Sequence, residues 1–153
     1  MQPKLASNWD DLPLNLVGSL ENIQLTALRI ISGLPRGTPH RVIYAETGFE
    51  SLAVRRKHHR LFLLFQMLNG TAPPNLNSIA PTRTADLPEP RYNLRVRPDL
   101  IPIRANTDSY SRSFLPKSIV EWNELPADLR RCQSYPLFRK TLISTPLVLK
   151  CFF

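Results

Sequence analysis

Fifteen prolines against five glycines are what most restricts the folds open to this chain of 153 residues. Each proline fixes its own φ and biases its predecessor away from the helical region, so elements are expected to be short, sharply ended and joined by extended connections. That predicts a patchwork, not a symmetric bundle. With 42% of residues hydrophobic, the chain can bury a core without disulfides or a structural metal, and one folded unit is the default.

Helix signals are strongest in the first half. Leu16, Leu20, Ile23, Ala27 and Ile30 recur at alternating spacings of four and three, which puts them on one helical stripe expected to face the core. Leu25 and Leu28 lie off that stripe, so cover on more than one side is expected. Ser32-Gly33 can cap this helix and Pro35 can end it. Thr38-Pro39 reads as the N-cap and first residue of a short helix that stops at Gly48. Ser51 can cap a third helix, whose Val54, Leu61, Leu64, Phe65 and Leu68 converge on one face before Gly70 ends it.

The third helix also carries the densest positive charge in the chain, Arg55-Arg56-Lys57-His58-His59-Arg60, directly before the densest apolar run. On its wheel Arg55, Arg56 and His59 point away from the core and Arg60 lies at the flank. Lys57 falls near the buried stripe, where its methylenes can cover the core while its ammonium reaches water.

From Pro73 through Pro90 the chain is punctuated by proline, consistent with a short helix after Pro74 and then an exposed linker. Tyr92, Leu94 and Val96 alternate with Asn93, Arg95 and Arg97. Pro98-Asp99 supplies a turn, and Ile101 and Ile103 resume the alternation, which predicts a small hairpin with one basic face between Tyr92 and Arg104. Tyr110 to Phe114 reads as extended or irregular. Pro116 opens a helix through Glu124 with Ile119 and Trp122 inward, Pro126 stops it, and Ser134 caps a last helix with Phe138 and Leu142 at i and i+4. The expected fold class is mainly α: an irregular multi-helix domain with one small β-hairpin. Its parts are a helical subdomain over 9–80, a linker over 81–90, hairpin and C-terminal helices over 91–145, and a frayed or aberrant tail over 146–153.

Lys plus Arg of 20 against Asp plus Glu of 12 gives a formal charge of 20 − 12 = +8. Such an excess favours polyanions such as RNA, DNA or an acidic membrane surface, while the plain alternative is a solvated basic surface that keeps the domain soluble. Guanidinium forks suit phosphate oxygens, and Tyr92 and Tyr110 offer stacking faces for unpaired bases. The candidate nucleic-acid-binding residues are Arg55, Arg56, Lys57, Arg60, Arg95, Arg97, Arg104 and Arg112. The competing reading is a solvated helix face plus a charged hairpin edge that discourages sheet aggregation.

Catalytic chemistry finds little support in the residues. Asp10-Asp11 is the only adjacent acidic pair, and it lacks the apolar strands and the distant third carboxylate of a two-metal polymerase site, so helix-start chemistry is the expected role. His40, His58 and His59 lack partners at metal-ligand spacing. There is no G-x-S-x-G elbow, and Gly33-Leu34-Pro35-Arg36-Gly37 lacks the ending of a phosphate-cradling loop. No catalytic residue, metal, cofactor or small-molecule substrate is therefore expected. Two cysteines, Cys132 and Cys151, suit a reducing compartment, and the N-terminus lacks the apolar core of a signal peptide. Leu61 to Phe65 falls far short of the ~20 apolar residues of a membrane span, and Cys151 stands third from the end, not at the fourth position of a prenylation box. These features predict an intracellular protein, nuclear or cytoplasmic, with no membrane partner.

The order of residues adds a resemblance. Leu20-Glu21-Asn22-Ile23-Gln24-Leu25-Thr26-Ala27-Leu28-Arg29-Ile30-Ile31-Ser32-Gly33-Leu34-Pro35 is followed by Tyr44-Ala45-Glu46-Thr47-Gly48-Phe49-Glu50-Ser51-Leu52 and Arg55-Arg56-Lys57. Later come Tyr110-Ser111-Arg112-Ser113-Phe114-Leu115-Pro116-Lys117-Ser118-Ile119-Val120-Glu121-Trp122-Asn123-Glu124-Leu125-Pro126 and Phe138-Arg139-Lys140. From Trp9 to Leu142 the chain resembles the region C-terminal to the polymerase core in jockey-like non-LTR retrotransposon reverse transcriptases of animals, and Pro146 to Phe153 departs from that pattern. The resemblance implies an RNA-directed DNA polymerase as the parent activity. The palm motif lies upstream of this region in such proteins, so no catalytic residue carries over. It also implies a helical platform that contacts template RNA or target DNA and braces the catalytic part of a related reverse transcriptase. A start at Met1 without a palm is expected of a truncated element copy or a split gene. The remaining alternative is a structural or relic fragment without activity of its own.

Overall fold

The computed structural model describes residues 14–87 and 98–145. The chain divides into two compact units, Met1–Arg56 and Lys57–Phe153, and is mainly helical.

In the first unit α1 (Leu14–Ser32) packs on α2 (His40–Thr47). Gly33 ends α1 in the left-handed region at φ 65°, which lets Leu34 N–H turn back to Arg29 O at 3.1 Å and satisfies a carbonyl the helix would leave open. Thr38 does not cap α2. Its hydroxyl donates back to Pro35 O at 2.8 Å, Pro39 takes the N-cap position, and the helix starts at His40. Gly48 stops α2 as expected.

The buried face of α1 differs from the expected stripe. Leu25 and Leu28 are 2% and 5% exposed and form a small core with Ile43, whereas Ile23 and Ile30 are 66% and 75% exposed. The reason lies in the polar anchors that share the inward face. Glu21 accepts the Tyr44 hydroxyl on one carboxylate oxygen and the Leu52 N–H, at 3.0 Å, on the other, and Gln24 Nε2 donates to Glu50 O at 3.1 Å. Residues 21, 24, 25 and 28 make one contiguous helical face, so satisfying these groups turns the 16/20/23/27/30 row outward.

The helix α3 (Leu52–Leu68) is started by Ser51, whose Oγ accepts Val54 N–H at 3.3 Å, and from Lys57 onward it belongs to the second unit. Gly70, at φ 68°, ends it, with Thr71 N–H returning to Gln66 O at 2.9 Å. The second unit continues through α4 (Pro74–Asn77), a 3₁₀ turn (Thr84–Asp86), α5 (Asp108–Arg112), α6 (Phe114–Asn123), α7 (Ala127–Arg130) and α8 (Tyr135–Ser144). Its core gathers Leu61, Leu64 and Phe65 of α3, Ile119 and Trp122 of α6, and Phe138 and Leu142 of α8, with Leu100, Leu125 and Leu129 between them. The rings of Phe65 and Phe138 stack at 4.4 Å, and Trp122 packs against Phe138 at 5.7 Å. The inward residues expected for α6 and α8, and Leu61, Leu64 and Phe65 of α3, are all buried. A smaller cluster of Met67, Ala72 and Leu76 seats α4.

Three local expectations are corrected. No strand ladder exists among the described residues; an isolated antiparallel bridge joins Arg83 to Leu100. The first strand of the expected hairpin lies outside the described residues, and Ile101 N–H turns instead to Thr82 O, at 3.3 Å, while Thr84 N–H reaches Asp99 O at 2.9 Å. Leu100 is extended because Asn123 occupies both its backbone groups. Second, the segment from Tyr110 to Phe114, expected to be extended or irregular, is largely helical: α5 covers 108–112, capped by Thr107 whose Oγ1 accepts Tyr110 N–H at 3.2 Å, and α6 already begins at Phe114 instead of Pro116. Third, Pro126 ends α6 and also begins α7, since a proline at a helix start forfeits no hydrogen bond. Of the expected linker, 81–87 is described and lies in the second unit; 88–90 and the tail 146–153 lie outside the described residues.

Candidate nucleic-acid interface

The basic hexad of α3 is not one solvated face. Arg55 is exposed, its Nη1 donating to Gln24 Oε1 at 3.2 Å, and Arg56 is half-buried. Lys57 and His58 are buried and His59 is exposed. Arg60, expected at the flank, is only 7% exposed and grips Glu121 of α6 with two prongs, Nε to Oε2 at 3.0 Å and Nη2 to Oε1 at 2.6 Å. A fork closed on a carboxylate in this way is not free to take a phosphate. Arg60 is therefore a packing residue joining α3 to α6, and the burial of Lys57 likewise removes it from any open binding face.

Arg104 and Arg112 lie exposed in the second unit, Arg112 with its Nε on Asp108 O at 3.2 Å. Tyr110, one of the two expected stacking rings, is exposed on the same short helix as Arg112. Arg95 and Arg97, together with Tyr92, lie outside the described residues.

The second unit gathers a different set of cations. Arg83, at the start of the 3₁₀ turn, meets Arg130 and Arg131 at the end of α7 around a polar cleft of about 370 Å³, which Asn69, Asp99 and Gln133 also line. A neighbouring hollow of about 320 Å³ shares Asp99 and Arg130. The supports of this cleft come from the fold itself. The bridge to Leu100 fixes Arg83, Arg130 Nε donates to Leu125 O at 3.0 Å, and Arg131 N–H closes on Ala127 O at 3.1 Å. Asp99 is held by Trp122, whose Nε1 donates to its Oδ2 at 2.7 Å. None of the three arginines forms an ion pair among the described residues. Sequence reasoning missed this group because Arg83 is remote in sequence from Arg130-Arg131. The adjacency of Arg130 and Arg131 after Pro126 was the one available signal.

Among the described residues no three His, Cys, Asp or Glu side chains gather as a metal site would require, and no helix is long and apolar enough to cross a membrane. Comparison with protein-family models, curated proteins and solved structures returns no match to this chain.

Proposed function

We propose that this chain is a non-catalytic segment of the kind found C-terminal to the polymerase core in jockey-like non-LTR retrotransposon reverse transcriptases, where it contacts template RNA or target DNA and braces the polymerase. The observation that carries the nucleic-acid part is the set of exposed cations left without a carboxylate: Arg55, Arg104 and Arg112, in a chain of charge +8. Unpaired surface guanidiniums attract phosphate and release counterions when they meet it, so affinity falls as salt rises. The test is fluorescence anisotropy with a labelled single-stranded RNA and its DNA counterpart across a salt series. Binding that weakens steeply with salt, and weakens further in R55Q/R104Q/R112Q, is expected. Absence of binding at low salt, or affinity indifferent to salt, overturns the reading.

The bracing part has its own support. Leu16, Ile23, Ile30 and Ile31 are exposed on α1, and a row of branched aliphatics in water suits a surface that another protein covers. The same row fits the second reading, a structural or relic fragment with no activity of its own. That reading predicts aggregation of the isolated chain without nucleic-acid binding, and a monodisperse, binding-competent preparation contradicts it.

A further inference from the structure

We infer that the cleft between the 3₁₀ turn and α7 is a phosphate-binding site for the backbone of a nucleic acid, with Arg83, Arg130 and Arg131 as its donors. The inference rests on the reading above that the chain contacts nucleic acid, and it assigns that contact to residues outside the basic hexad. Three arguments converge. The first is charge: three arginines face one carboxylate, and that carboxylate is engaged by the indole N–H of Trp122 instead of by a guanidinium. Arginines clustered without acidic partners repel one another, and an anion placed among them relieves that repulsion.

The second argument is donor geometry. Arg130 uses its Nε on Leu125 O, which fixes the direction of its guanidinium and leaves the Nη groups to reach a ligand. A fork oriented before binding loses less side-chain freedom when a phosphate arrives. Asn69 and Gln133 add amides at the rim.

Shape supplies the third. At about 370 Å³ the cleft has room for a phosphate and its waters, given roughly 30 Å³ for each water. No aromatic ring lines it, so it has no surface on which a base would stack. Recognition there is of the phosphate group, without sequence preference.

The experiment compares two variants of equal charge loss in the full chain: R83Q/R130Q/R131Q in the cleft, and R36Q/R41Q/K140Q at exposed positions elsewhere. Binding of a labelled single-stranded RNA is measured at low salt, with inorganic phosphate and chloride as competitors at matched ionic strength. The cleft variant is expected to bind about tenfold more weakly than the charge-matched variant. Phosphate is expected to compete better than chloride with the native chain and to lose that advantage in the cleft variant. Equal affinity of the two variants overturns the inference while leaving the nucleic-acid reading intact. A native chain that binds no RNA overturns the reading itself, and the inference with it. Because Arg130 also braces Leu125, R83Q/R131Q is measured alongside; a cleft variant that unfolds while R83Q/R131Q binds as tightly as a charge-matched R36Q/K140Q also counts against the site.

Discussion

Asn123 holds Leu100 by both of its backbone groups: Asn123 Oδ1 accepts the Leu100 N–H at 3.0 Å, and Asn123 Nδ2 donates to the Leu100 carbonyl at 2.9 Å. A side-chain amide thus does for Leu100 what a neighbouring strand would do, and the leucine is fully buried in the core of the second unit. Adjacent residues of α6 each make a different tie. Glu121 takes Arg60, Trp122 fills the core and binds Asp99, and Leu125 and Pro126 lead into α7. The run from Glu121 to Pro126 is the structural hub of this unit.

Replacing Asn123 by alanine strands a buried donor and a buried acceptor, each worth about 1–3 kcal/mol. Loss of about 2–4 kcal/mol of unfolding free energy is expected, read from urea titration followed by tryptophan fluorescence. N123D keeps an acceptor for the Leu100 N–H but sets a carboxylate oxygen against the Leu100 carbonyl, so it should also destabilise the fold. A loss below ~0.5 kcal/mol for N123A contradicts the hub.

In the Arg60–Glu121 pair the arginine is buried and the glutamate mostly so, and removing one partner leaves a charge without compensation. E121Q and R60Q should each destabilise by about 3 kcal/mol, whereas R60M/E121L should cost much less than the sum. The double-mutant cycle decides between a packing role and a binding role for Arg60. If R60Q leaves stability untouched and weakens RNA binding instead, the assignment of Arg60 to the core is wrong.

Burial raises the Tyr44 phenol above its ordinary value, and the hydrogen bond and negative charge of Glu21 add to the shift. The folded state therefore binds that proton more tightly than the unfolded chain. Its contribution is complete below the unfolded value of about 10 and is lost as pH rises through the folded one. The stability difference between the native chain and Y44F should narrow from about pH 9 to pH 11, by thermal unfolding followed with circular dichroism. A difference that widens over that interval contradicts the hold of Glu21 and partial burial on the Tyr44 proton.

The exposed row on α1 gives a solubility prediction. I23E/I30E removes two aliphatic side chains from water and touches none of the core residues Leu25, Leu28 and Ile43. Higher solubility is expected with unfolding free energy changed by less than about 0.5 kcal/mol. L25A, by contrast, should cost about 2–5 kcal/mol. Equal costs for the two would mean that the outward stripe is packed after all.

The second unit was readable wherever one helical period and a clear cap coincided. Leu61, Leu64 and Phe65 sit between Ser51 and Gly70, and Ile119, Trp122, Phe138 and Leu142 are buried as their spacing predicts. Yet α6 begins at Phe114, two residues before Pro116, and Ser134 holds the N-cap position of α8 without a side-chain cap bond. On α1 two apolar rows competed, and periodicity could not rank them. The choice depended on Glu21 and Gln24 finding Tyr44, Leu52 and Glu50, partners distant in sequence. Alternation at Ile101 and Ile103 did not mark the buried residue, which is Leu100 while Ile101 is exposed, nor its neighbour, since a strand and an asparagine side chain offer the same donor and acceptor. A local run such as the hexad draws notice without indicating burial, while the cleft of Arg83, Arg130 and Arg131 exists only once the turn and α7 are brought together.

The central claim is contact between unpaired guanidiniums and nucleic-acid phosphates, and its most direct measure is the slope of log affinity against log salt for single-stranded RNA. Each phosphate contact adds about 0.7 to that slope, so loss of the one phosphate held by the cleft in R83Q/R130Q/R131Q should flatten it by about 0.7, with no such change in the charge-matched R36Q/R41Q/K140Q. A native slope near zero, or identical slopes for all three proteins, contradicts the account.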